Sequence, residues 1–83
     1  MKNEFAKIFI IDGEQLLVVK DNNDNEEPII EYILDHSGIR VSMSEGYEES
    51  GEEVRDEAFE TLTQDSAKGI YDALLNQLLG LMD

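Results

Sequence analysis

The chain has 83 residues and carries 20 Asp or Glu against 6 Lys or Arg, a formal net charge of −14 with its single histidine neutral. That charge excludes a cationic nucleic-acid binder, which needs a basic footprint, and it opposes docking on an anionic lipid leaflet. The absence of cysteine removes disulfides, thiolate nucleophiles and cysteine zinc sites.

At this length one domain over residues 1–83 is expected, and 41% apolar residues suffice for a core. No stretch reads as a signal peptide or a membrane span. The early apolar run Ile8–Ile11 is four residues long, whereas a spanning helix needs about 20. A cytoplasmic protein with no membrane partner is the expectation.

Phe5-Ala6-Lys7-Ile8-Phe9-Ile10-Ile11 is rich in β-branched and aromatic residues and reads as a strand. Asp12-Gly13 follows, then a second apolar run over 14–20. An Asp-Gly pair between two such runs signals a hairpin, because a type I′ turn needs positive φ at both central residues. The stretch Asp21-Asn22-Asn23-Asp24-Asn25-Glu26-Glu27 is turn chemistry, since Asn and Asp side chains bond local backbone groups. Pro28 opens a third strand through Leu34, at a position where proline costs no interior ladder bond. His36-Ser37-Gly38 is a second tight turn. Beyond it Ile39, Val41 and Met43 alternate with Arg40, Ser42 and Ser44, the pattern of an antiparallel strand with one wet face.

The second half has a helical period. Ser50-Gly51-Glu52-Glu53 fits a capping box, with Ser50 as N-cap and Glu53 reaching back, and predicts a helix over 51–62. Thr63 can cap the next helix, with Asp65 at the positive end of its dipole. Ala67, Ile70, Tyr71, Leu74, Leu75, Leu78 and Met82 fall on one stripe, widened by Leu79 and Leu81. Strands followed by helices give an α+β fold: a four-stranded antiparallel meander of two hairpins, with two C-terminal helices packed on one face.

The acids are not evenly spread. Between Asp21 and Glu60 the chain carries fourteen of them against two bases, Arg40 and Arg55. The densest run holds Glu45, Glu48, Glu49, Glu52, Glu53, Asp56, Glu57 and Glu60. At helical spacing Glu49, Glu53, Glu57 and Glu60 make one ridge, and Glu52, Asp56 and Glu60 another. Like charges four apart destabilise a helix by about 0.2–0.5 kcal/mol per pair. Such ridges are either a solvated helix face, which also favours solubility, or a surface arranged for a partner. Carboxylates about 6 Å apart loosely approximate a phosphate row. A protein that grips DNA with Lys and Arg would meet this surface as a competitor.

In length, charge and element order the whole chain resembles the small, acidic, cysteine-free phage inhibitors that imitate DNA, such as the uracil-DNA glycosylase inhibitor and several anti-CRISPR proteins. The resemblance rests on no motif. The glycosylase inhibitor carries a Glu-Ser-Ile segment; Glu49-Ser50-Gly51 here lacks the apolar residue, so that inhibitor's target and contacts are not carried over. The class implies stoichiometric inhibition without catalysis. The partner is then a basic nucleic-acid-binding protein, a defence nuclease complex or DNA-processing enzyme, with no direct contact to nucleic acid. A phage-encoded chain would act in the host cytoplasm.

On this reading Glu45, Tyr47, Glu48, Glu49, Glu52, Glu53, Asp56, Glu57 and Glu60 form the partner-binding surface. Asp21, Asp24, Glu26, Glu27, Glu31 and Asp35 form a secondary patch. Tyr47 either anchors that interface or covers the end of the sheet, whereas Tyr32 and Tyr71 fit the core. A second reading is a non-mimetic interaction module, homodimeric through the leucine-rich stripe 70–82, which is broad for a small sheet to cover. Monomer and homodimer are both open.

Other motifs fail on inspection. Asp21, Asn23 and Asn25 match the first ligands of an EF-hand loop, but the sixth position is Glu26 and the twelfth Tyr32, so the sharp turn and the bidentate carboxylate are missing. Asp65-Ser66 resembles the attachment site of acyl carrier proteins, yet Ala67 follows instead of leucine and the preceding half is strands. His36, between Asp35 and Ser37, is expected to be an exposed turn residue, because adjacent residues do not make a relay. No metal, cofactor or catalytic residue is assigned.

Overall fold

A computed structural model describes residues 5–48 and 51–82. Glu49, Ser50 and the capping box proposed for Ser50 therefore lie outside the described residues.

Two turns of one kind set the register of the sheet. Strand β1 (Ala6–Ile11) meets β2 (Glu14–Asn22) through Asp12 and Gly13, whose φ values are 52° and 80°. Strand β3 (Pro28–His36) meets β4 (Ile39–Gly46) through Ser37 and Gly38, at 54° and 81°. Both are two-residue connections with positive φ throughout, the geometry that matches the twist of a hairpin. The middle connection is different. The Asn23 side-chain oxygen accepts the N–H groups of Asn25 (2.9 Å) and Glu27 (3.0 Å), so one amide knits the whole loop. The strands lie in the order β1-β2-β3-β4, antiparallel throughout, the expected meander.

Alternation along each strand separates two faces. Ile11, Leu16, Val18, Ile30, Tyr32, Leu34 and Val41 are buried on one of them. Helix α1 (Glu52–Glu60) contributes Phe59 to that side, and helix α2 (Gln64–Met82) contributes Ala67, Tyr71, Leu74 and Leu78. Each fully buried leucine is worth about 1.5–3 kcal/mol relative to exposure. The α2 stripe thus spends its centre on the chain's own sheet, and Leu79 is left 48% exposed. The fold is α+β, a four-stranded antiparallel sheet followed by two helices on one face.

The helix starts follow local chemistry. The N-cap of α1 is Gly51, with no side-chain cap. A Cβ there would lie 2.9 Å from the Glu48 carbonyl oxygen, which already accepts the Gly51 N–H. Only glycine fits that approach. At α2 the Thr63 hydroxyl accepts the Ser66 N–H at 3.2 Å, the cap expected from sequence.

Candidate anionic interface

The cations decide where the negative charge is left uncompensated. Lys7 and Lys20 stand on the helix-bearing face of the sheet, beneath α1. Lys7 Nζ donates to the Phe59 carbonyl (2.7 Å) and the Glu60 carbonyl (3.2 Å). It supplies the positive charge that the last turn of α1 lacks in its own sequence. Lys20 Nζ lies 5.1 Å from the centroid of the Phe59 ring and Lys7 Nζ 4.8 Å, so two ammonium groups meet one buried aromatic. Arg55 points the same way. Its Nη1 donates to the Asp21 carbonyl at 2.6 Å and its Nε to Asp56 at 2.7 Å. Arg40 forms a two-pronged pair with Asp35, and Lys68 pairs with Asp72. Every Lys and Arg of the described residues is engaged in one of these ways.

The acids of α1 divide accordingly. Glu52, Glu53, Glu57 and Glu60 are exposed and make no ion pair among the described residues. The ridge Glu53–Glu57–Glu60 stands, while Glu49 lies outside the described residues. Asp56 does not join the second ridge. It turns toward the sheet, where Lys20 Nζ (3.6 Å) and Arg55 Nε share its Oδ1. Position 56 lies on the flank of the helix that meets β2, beside Arg55 and three residues before Phe59. The ridge Glu52–Asp56–Glu60 is therefore broken, and Asp56 is a structural anchor.

The approach to α1 continues the same charge. Glu45 and Glu48 are exposed, and the half-buried Tyr47 donates its hydroxyl to Glu45. Burial first, and that hydrogen bond second, push the Tyr47 phenol well above its ordinary range, so it remains a neutral donor. Tyr47, Glu48, Gly46, Gly51 and the exposed Val54 line a depression of about 310 Å³. Tyr47 also packs against the core, which satisfies its sheet-covering role.

The acids expected to form a secondary patch fall in two places. Asp24, Glu26 and Glu27 belong to the 23–27 loop, where Glu27 accepts an Asn23 amide hydrogen at 3.2 Å. Asp21 accepts the N–H of its neighbour Asn22. Glu31 and Asp35 face away from the helices, on the opposite side of the sheet, and Asp35 is paired with Arg40. Period-two alternation puts residues 31 and 35 on the face opposite Ile30, Tyr32 and Leu34, and the register puts Asp21, opposite Ile29, on that same face. Asn23 also departs from a cation ligand, because two backbone N–H groups occupy its oxygen. No three carboxylate or imidazole groups converge among the described residues.

Comparison with protein-family models, curated proteins and solved structures gives no match. Among the described residues no helix is long and apolar enough to cross a membrane.

One polar cluster was not anticipated. His36 is not an exposed turn residue: it ends β3, half-buried, and its Nδ1 bonds Glu14. Tyr71 donates to the other Glu14 oxygen at 2.6 Å. The Tyr71 hydrogen bond, and then that of His36, hold the Glu14 carboxyl below its ordinary value, while Tyr71 itself is pushed up to about 12. The direction suits a carboxylate kept ionised to tie α2 to the sheet, not a general acid. The signal was available in the strand period. Glu14 shares a face with Leu16 and Val18, and His36 with Leu34, so both had to point toward the helices. A further cavity of about 340 Å³, lined by Phe5, Lys20, Asp21, Asn22, Arg55 and Asp56, matches two cations with two carboxylates and so carries no net charge.

Proposed function

We propose that this protein is a non-catalytic acidic inhibitor that imitates DNA and occupies the basic groove of a nucleic-acid-binding protein, in the manner of anti-restriction or anti-CRISPR inhibitors. One observation carries the reading. Lys7 and Lys20 sit beneath α1 and Arg55 points down from it, while Glu53, Glu57 and Glu60 form an exposed ridge on the helix, and neither they nor the exposed Glu52 has an ion-pair partner among the described residues. Burying the cations under the helix, rather than interleaving them with the acids, leaves the outer surface anionic at close range, where a basic groove would sense it. Glu45 and Glu48 extend that surface toward β4, and Tyr47 and Val54 add apolar contact area beside it.

The partner is a protein that otherwise holds phosphates with Lys and Arg, and the interaction is stoichiometric. The test is competition binding against a panel of DNA-processing enzymes and defence nuclease complexes across a range of salt. The expected result is displacement of DNA by the wild-type chain, weakening steeply with salt, and loss of displacement in a Glu53→Gln, Glu57→Gln, Glu60→Gln variant. Displacement that ignores both the salt and the three substitutions overturns the reading.

A further inference from the structure

The sheet has a second face that neither helix covers. Ile8 and Ile10 of β1 are 58% and 55% exposed there, and Leu17, Val19, Ile29 and Ile33 are half-buried beside them. The register makes the group continuous: Ile8 lies opposite Leu17, and Leu17 opposite Ile33. Strand propensity alone does not explain it. The same face of β4 is built from Arg40, Ser42 and Ser44, with Ser42 directly opposite Ile33. On this face the apolar group of β1, β2 and β3 is thus bordered by the polar strand β4 and by Gln15, Asp21 and Asp35, with Glu31 set within it, a bounded patch of the kind that marks an interface.

Charge selects the occupant. Glu31 stands between Ile29 and Ile33 and opposite Val19, half-buried, with no cation against it among the described residues. The cation that the described residues place on this face, Arg40, is held by Asp35 through bonds of 2.8 and 3.0 Å. Two copies meeting through the patch would bury two Glu31 carboxylates between chains of net charge −14 each. We propose that this face docks a basic, aliphatic segment of another protein, one that sets a Lys or Arg against Glu31 and apolar side chains around it. The proposal is independent of the DNA-mimic reading, which concerns the opposite side of the sheet.

The probe is a synthetic peptide of alternating leucine and lysine, added to the full chain with methyl resonances observed by NMR; a leucine–glutamine peptide is the control. Shifts are expected at Ile8, Leu17, Val19 and Ile33. Glu31→Gln is expected to weaken the lysine peptide about tenfold and leave the glutamine peptide unchanged. Ile8→Ser with Ile10→Ser is expected to weaken both peptides in a protein that stays folded, with a modestly lowered melting temperature. Shifts confined to α1, or equal affinity of wild type and Glu31→Gln for the lysine peptide, overturn the proposal. So does a concentration-dependent dimer that perturbs the same methyls without peptide, which would make a second copy the occupant.

Discussion

Helices α1 and α2 lie on the same sheet face but are held there by different forces. Helix α2 has nineteen residues and is fastened by an apolar stripe, with Ala67, Leu74 and Leu78 fully buried. Helix α1 has nine residues and one buried side chain, Phe59. The rest of its attachment comes from Lys7 and Lys20, which reach up from below, and Arg55, which reaches down to carbonyls of β2 and β3. An apolar stripe leaves the other side of a helix free to vary. A cationic attachment does something further, because it removes positive charge from the surface and leaves the outer acids of α1 unopposed. The same arrangement that secures the helix creates its field.

The contrast can be broken first at the core. Leu74→Ala is expected to cost about 2–5 kcal/mol and to lower the global unfolding midpoint in urea. Phe59→Ala is expected to cost about 3–5 kcal/mol, since it also deprives two ammonium groups of their ring. Native-state hydrogen exchange distinguishes the two. In wild type the α1 amides should open locally and those of α2 near the global limit, and Phe59→Ala should widen that gap.

Next in size is Arg55→Met, which keeps the stem and removes the guanidinium bonds to Asp21, Ile29 and Asp56. The expected loss is about 1–3 kcal/mol, measured by chemical denaturation. Lys68→Met, at an exposed pair on α2, is expected to cost well under 1 kcal/mol. Equal losses would remove the distinction between the two attachments.

Smaller still is the repulsion along α1. Glu53→Gln with Glu57→Gln is expected to stabilise the fold by a few tenths of a kcal/mol. Moderate salt should raise the melting temperature of wild type by screening the same self-repulsion, and should raise that of the double variant less. A wild-type melting temperature that stays flat or falls with salt would contradict this.

The last test concerns the polar tie of α2. Glu14 is held below its ordinary value of 4.5 by Tyr71 and then by His36. A folded-state pKa below the unfolded one means that the unfolded chain takes up the proton more readily. The contribution is therefore complete above about pH 4.5 and is lost as pH falls through the lower folded value. Glu14→Gln should flatten that part of the acid limb in a stability-against-pH profile. Tyr71→Phe should move it to higher pH and also remove the Tyr71 share of the alkaline limb, where stability fades as pH rises from about 10 toward about 12, leaving the share of Tyr47 and Tyr32. These changes should leave the exchange of α1 amides unaffected at neutral pH.

The elements with local signals were legible in the chain. Asp12-Gly13 and Gly38 announce their turns because glycine, and to a lesser degree Asp, accept positive φ, while Ser37 is carried into it by its hairpin; Thr63 announces a cap through its hydroxyl. Strand alternation was equally plain on β4. The capping box at Ser50 lies outside the described residues, and the approach of Glu48 to Gly51 is a backbone contact that no spacing rule encodes. Of the candidate surface, Glu53, Glu57 and Glu60 follow from helical spacing alone. The fate of Asp56 does not: it depends on Lys20, thirty-six positions earlier in the sequence, arriving beneath the same turn of helix.

Composition and period alone thus determined the charge, the order of elements and the meander, since each is a sum of local preferences over a few residues. Tertiary structure decided which charges cancel. It brought Lys7 to Phe59 and Glu14 to Tyr71, pairs 52 and 57 residues apart, and it sent Glu31 and Asp35 to the face away from α1. Electrostatic energy depends on distance in space, and distance along the chain carries no record of it until the sheet has formed.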